Sequence, residues 1–177
     1  IEDLSLSTNA VLLAHKAAAL RAAGVSRVNV SLDTLRPERF AEITGGGRLD
    51  KVLEGLMAGK RQGFAPVKIN VVALKGVNDD EFEDMVEFCL EHDFTLRFIE
   101  TMPVGNTGRG AMEHYLDLQE VKRRLARRFE LIPSVAPGGG PARYVQVAGT
   151  TLRIGFITPI SQHFCATCNR VRLSAEG

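Results

Sequence analysis

The chain has 177 residues, 45% hydrophobic and 24% charged, with 22 Lys and Arg against 21 Asp and Glu for a formal net charge of +1. That composition suits a globular domain with a core of ordinary size, and the near balance of charge excludes the basic excess of a nucleic-acid binder. No apolar run reaches the roughly 20 residues of a membrane span, and Ile1-Glu2-Asp3-Leu4 is not a secretory leader, so a cytoplasmic protein with no membrane partner is expected.

From Leu4 onward, short strand-like runs alternate with amphipathic helical ones, as a parallel α/β sheet or barrel requires. The strands are expected at 4–9, 27–33, 67–74 and 95–100, with helices after Asn9, Pro37, Asp50 and Asn78. In the fourth helix, Phe82, Met85, Val86, Cys89 and Leu90 fall on one face, and Asn78 and Glu81 are spaced like a capping box. Gly24 and Gly63 stand just past helical patterns, where a left-handed residue is wanted. Beyond Glu100 come a Gly-rich loop at 102–110, a helix near 117–128, and an antiparallel pair at 143–147 and 151–157, a part expected to cap the barrel. In that helix Leu118, Val121 and Leu125 form the apolar face, so Lys122, Arg123, Arg124, Arg127 and Arg128 are expected in solvent. The domain division that follows is 1–110 and 111–177.

Side chains alternate between faces along a strand, so each strand splits into two sets. Val28, Val30 and Leu32 oppose Asn29, Ser31 and Asp33; Leu4 and Leu6 oppose Ser5, Ser7 and Asn9; Val67, Ile69 and Val71 oppose Lys68 and Asn70. The apolar set should meet helices. The polar set lines either a ligand-holding interior, the favoured reading, or a solvated sheet face. Lys68 and Arg97 sit among apolar strand residues, where each would be costly to bury without an anionic partner such as a polyphosphate.

The densest chemistry lies in His163-Phe164-Cys165-Ala166-Thr167-Cys168-Asn169-Arg170-Val171-Arg172. A C-x-x-C turn brings two sulfurs to one side, which suits a metal or cluster, redox chemistry or a pair of plain reduced cysteines, and spacing alone leaves these open. His163 reads as structural. Arg170 and Arg172 alternate on one side of a short strand, as donors for a phosphate or purine edge or as a solvated basic edge.

Ser7-Thr8-Asn9, Asn29-Val30-Ser31-Leu32-Asp33, Lys68-Ile69-Asn70-Val71-Val72, Arg97-Phe98-Ile99-Glu100-Thr101-Met102-Pro103-Val104-Gly105-Asn106 and Phe164-Cys165 through Leu173 occur in an order and spacing that resembles the GTP 3′,8-cyclase family of radical S-adenosylmethionine (SAM) enzymes. The resemblance implies an α/β fold, a partial TIM-type βα barrel with a C-terminal extension carrying a cluster-binding Cys pair. It implies two [4Fe–4S] clusters, SAM as cofactor, and GTP as the substrate whose ribose C3′ becomes bonded to guanine C8 in molybdenum cofactor synthesis. The product would pass to cyclic pyranopterin monophosphate synthase.

Carried over by position, Ser31 and Met102 are expected at SAM. Ser7, Lys68, Arg170, Val171 and Arg172 are expected at GTP, with Arg97 as a further phosphate partner. Cys165 and Cys168 are expected on the second cluster. Ser7 stands where the family often has Thr, and Ala10 where it often has Gly. The family's C-x-x-x-C-x-x-C motif falls upstream of Leu4 and its last cluster cysteine downstream of Gly177, so the chain reads as cut at both ends and inactive alone. An opened first edge would let copies pair, which leaves a homodimer open. Two other readings remain: a different radical SAM enzyme with an auxiliary cluster, and a non-enzymatic zinc or nucleotide-binding module.

Overall fold

The structure, a computed structural model, describes residues 3–102, 110, 112–135, 140–162, 173–174 and 177. In chain order the elements are β1 (Leu4–Thr8), α1 (Leu13–Ala22), β2 (Val25–Ser31), α2 (Pro37–Thr44), α3 (Leu49–Arg61), β3 (Val67–Ala73), α4 (Phe82–His92), β4 (Thr95–Glu100), a 3₁₀ turn (Met112–His114), α5 (Leu118–Leu125), β5 (Leu131–Ser134), β6 (Arg143–Val147) and β7 (Arg153–Ile157). The four expected strands are present, each shifted by two residues at most, because alternation with β-branched residues fixed their type while only the caps fix their ends.

Among the described residues, seven strands form one sheet in the order β1-β2-β3-β4-β7-β6-β5. β1 to β4 and β7 are parallel neighbours, and β5, β6 and β7 are antiparallel. The expected pair 143–147 and 151–157 is therefore found, but it extends the sheet beside β4 instead of forming a cap. β5 was not anticipated. It is four residues long and contains Pro133, which a strand tolerates at an edge, where no neighbour asks for its missing N–H.

The apolar strand set packs against the helices. Val28, Val30, Leu32, Ile69, Val71, Leu96 and Phe98 share one core with Leu13, Val52, Leu56, Met85, Val86 and Cys89. Phe82 of α4 meets Phe98 edge to face at 4.9 Å between centroids. Burial pushes the Cys89 thiol well above its ordinary range, so it stays a neutral core side chain. α5 buries Leu118, Val121 and Leu125 as expected, with Asp117 accepting from the Gln119 N–H at 2.8 Å as its N-cap. Of the cations expected in solvent, Lys122, Arg123, Arg127 and Arg128 are exposed and Arg124 is partly so; Arg124 pairs with Glu83, and Arg128, past the end of α5, with Glu87.

Gly24 and Gly63 hold φ of +92° and +78°, the left-handed positions anticipated after α1 and α3. The capping box at Asn78 and Glu81 is not formed. The Glu81 N–H reaches the Asn78 backbone carbonyl, and α4 has no side-chain cap. Tertiary partners outcompete the local motif: the Asn78 amide donates to the Asp33 and Val72 carbonyls at 2.7 and 2.9 Å and accepts from Leu74 N–H at 2.9 Å. The buried Glu81 carboxylate accepts from Thr34 Oγ1 at 2.6 Å and Leu35 N–H at 2.9 Å, and pairs with Arg39. Asn78 joins the segments at the C-terminal ends of β2 and β3, and Glu81 holds the segment that follows β2.

Close approach of α3 to the turn before α1 is set by Gly55, where a Cβ would lie 2.3 Å from the Ala10 carbonyl oxygen. Ala10 is itself fully buried at φ +60°. Gly55→Ala is expected to lower stability by about 1–3 kcal/mol in chemical denaturation, since the clash is with backbone and α3 has to shift.

Asp33 accepts from Val72 N–H at 2.8 Å, yet burial outweighs that bond and holds its pKa above the ordinary 3.8. With the folded value raised, Asp33 contributes stability that is full below the unfolded value and lost as pH rises through the folded one. Asp33→Asn keeps an oxygen acceptor and removes the titration, so stability should fall less than in the parent chain over the pH window that opens above about 4. An unchanged slope in denaturation series across that window would count against this assignment.

Candidate functional site

The polar strand set forms two levels on the sheet face opposite the helices. Parallel register places Ser7 beside Asn29, Asn29 beside Lys68, and Lys68 beside Thr95. Two residues further toward the C-terminal ends, Ser31 lies beside Asn70, Asn70 beside Arg97, and Arg97 beside Gly155. Successive levels on one face are about 6.6 Å apart, two residues of strand rise. Of the residues expected at GTP, Ser7 and Lys68 thus share the lower level; of those expected at SAM, Ser31 is at the upper level and Met102 follows the end of β4.

Exposure differs along the levels. Ser7 and Ser31 are exposed, Lys68 and Asn29 partly buried, and Met102 is 45% exposed. Lys68 borders a cleft of about 370 Å³ whose other polar walls include Asp3, Arg27, Thr95 and Arg153, with Arg27 paired to Asp3. Arg97 is only 7% exposed. Its Nε donates to Asn70 Oδ1 at 2.8 Å and one terminal nitrogen to Asn29 Oδ1 at 2.7 Å. The guanidinium therefore reaches from β4 across β3 to β2, binding the two levels together.

Glu100, at the C-terminal end of β4, is 1% exposed. Its carboxylate accepts from the Ile160 and Ser161 N–H groups at 3.0 and 3.1 Å and from the Ser161 hydroxyl, with the Tyr115 hydroxyl at 3.5 Å. Burial, and then the Glu100 and Asp117 charges, push the Tyr115 phenol pKa up, so it stays a neutral donor. Sequence patterning gave no sign of this anchor, because its partners lie about 60 residues downstream. A buried carboxylate needs several donors, and here two backbone amides and two hydroxyls supply them.

Cys165, Cys168, Arg170, Val171, Arg172 and His163 lie outside the described residues. Among the described residues there is no group of three or more His, Cys, Asp and Glu side chains able to hold a metal ion. The donor chemistry that fits an iron–sulfur cluster is the Cys165-x-x-Cys168 pair, since thiolates are the usual cluster ligands and the buried Cys89 is committed to the core. Among the described residues no helix is long and apolar enough to cross a membrane.

Comparison with known proteins assigns both halves. Residues 94–177 match the family described as Molybdenum Cofactor Synthesis C, and residues 1–89 the Radical SAM superfamily. The chain is 48% identical over 178 residues to GTP 3′,8-cyclase 2 of Pseudomonas aeruginosa, covering 100% of itself and 54% of that relative. It is 46% identical over 180 residues to a GTP 3′,8-cyclase of Hydrogenovibrio crunogenus and 47% identical over 180 residues to one of Heliobacterium modesticaldum, covering 54% and 55% of them. The chain spans about half the length of the curated relatives it matches. With a mixed α/β sheet whose first half carries the superfamily pattern, the chain belongs to the radical SAM superfamily.

Proposed function

We propose that this chain is part of a GTP 3′,8-cyclase, a radical SAM enzyme that cyclises GTP in molybdenum cofactor biosynthesis. One observation carries the reading: the match to proteins of that name covers 100% of the chain at 42–48% identity. The polar levels of the sheet support it independently, because a triphosphate and a sulfonium cofactor both need a polar, cation-bearing face. In the whole protein the parallel strands form part of a TIM-type barrel, with the division between barrel and C-terminal extension near residue 110. The protein acts in the cytoplasm on GTP and passes its product to cyclic pyranopterin monophosphate synthase, with homodimerisation as its assembly.

When bound, the clusters and SAM would supply the hydrogen-abstracting radical chemistry that joins the GTP ribose C3′ to guanine C8. The chain's own residues bind and orient. Lys68 neutralises phosphate charge as a point cation, Arg97 offers a planar fork of donors to the same group, and Ser7 donates a hydroxyl at the level of Lys68. Ser31 and Met102 hold SAM, the serine by its hydroxyl and the methionine by packing and backbone. Arg170, Val171 and Arg172 hold GTP beside the second cluster, whose ligands include Cys165 and Cys168.

In the complete enzyme, Lys68→Ala, Arg170→Ala and Arg172→Ala are each expected to weaken GTP binding by about tenfold or more, since each leaves a phosphate or base edge without its charged donor. Anaerobic equilibrium binding measures this, and SAM affinity should stay within about twofold for Lys68→Ala. GTP affinity unchanged in all three variants would contradict the reading. Cys165→Ala and Cys168→Ala should lower the iron content of anaerobically purified enzyme; full iron in both would remove them from the ligand set.

A further inference from the structure

The lower polar level does not end at Thr95. β4 and β7 pair with Leu96 beside Ile154 and Arg97 beside Gly155, so one residue earlier Arg153 stands beside Thr95. Alternation puts Arg153 on the same face as Gly155, and that face is the one that carries Arg97, because a Cβ at Gly155 would lie 3.1 Å from Arg97 Cγ. Lys68 and Arg153 thus flank Thr95 on one level, two strand spacings or about 10 Å apart at the backbone, with Arg97 one level above.

Nothing around Arg153 neutralises it. The residue is exposed, and among the described residues its guanidinium has no hydrogen bond or ion pair. Lys68 and Arg153 both line the cleft of about 370 Å³, where three cations face one carboxylate, and that carboxylate, Asp3, is paired with Arg27. Asp93 shares a second cleft of about 540 Å³ with Arg153, but its carboxylate accepts from the Thr151 hydroxyl at 3.0 Å. Gln146, beside Arg153 on β6, donates its amide to the Thr150 carbonyl at 2.6 Å. A cleft with an excess of positive charge concentrates anions, and cations on β3 and β7 with a hydroxyl between them suit a chain of phosphates better than a single one.

We infer that Arg153 is a further nucleotide-binding residue, taking the end of the phosphate chain farthest from the nucleoside, with the Thr95 hydroxyl between it and Lys68. This rests on the reading of Lys68 and Arg97 as phosphate partners under the proposed function. The row from Lys68 through Thr95 to Arg153 then distinguishes a triphosphate from shorter forms of the same nucleotide, because only the longest chain reaches Arg153.

The test measures anaerobic dissociation constants of the complete protein for GTP, GDP and GMP, together with melting temperature. Arg153→Ala is expected to weaken GTP by about tenfold, with a smaller loss for GDP and a change within about twofold for GMP. Melting temperature should be unchanged, since an exposed side chain without an internal partner is removed. Arg153→Glu should weaken GTP further, and this extra loss should shrink as salt is raised. GTP affinity unchanged in Arg153→Ala, or an equal loss for GMP, would overturn the inference. If Arg153→Ala does not fold, Arg153→Gln decides by the same criteria. Parent protein that binds none of the three nucleotides would sink the proposed function itself, whereas normal parent binding with an insensitive Arg153 sinks only this inference.

Discussion

A parallel strand can bury one face under helices only if every second residue is apolar, and the residues between are then committed to the other face together. β2, β3 and β4 follow this constraint, and the rest of the molecule depends on it. Val28, Val30, Ile69, Val71, Leu96 and Phe98 build the shared core with the helices. The same register makes neighbours of Asn29, Lys68, Asn70 and Arg97 on the far side. A one-residue slip of β3 would move Lys68 into the core and Ile69 out of it, so the core and the polar levels are specified by one and the same pairing.

The C-terminal ends of the parallel strands are fixed by buried polar side chains, and each is satisfied by partners distant in sequence. Asn78 joins the exits of β2 and β3, Glu81 holds the segment at Thr34 and Leu35, and Glu100 fixes Ile160 and Ser161 against the end of β4. Such groups are expensive to leave unpaired in a low-dielectric interior, so each narrows the conformations available to the loops that leave the sheet. Loops at this end of an α/β sheet are where ligands bind, and here the one that leaves β4 leads into Met102.

Much of this was legible in the sequence, for physical reasons that can be named. Strand and helix types followed from periodicity, and the burial of Cys89 and of Leu118, Val121 and Leu125 from helical spacing. The cost of burying Arg97 was readable from its apolar neighbours Leu96 and Phe98, but its partners were not, because an Arg97–Asn29 contact 68 residues apart exists only once β3 is known to lie between β2 and β4. The edge strand β5 was hidden by its length and by Pro133. The Asn78 and Glu81 pattern misled because a local spacing cannot report that Thr34, Leu35 and Asp33 compete for the same side chains.

The polar face of β1 to β4 is proposed to receive the nucleotide, with its phosphates at Lys68 and Arg97. A crystal structure of the complete protein with GTP, grown anaerobically, tests it most directly. Phosphate oxygens are expected within hydrogen-bonding distance of Lys68 Nζ and the Arg97 guanidinium, with Asn29 and Asn70 still on that guanidinium. A nucleotide seated elsewhere, with the face between Ser7 and Arg97 filled by solvent alone, would contradict it.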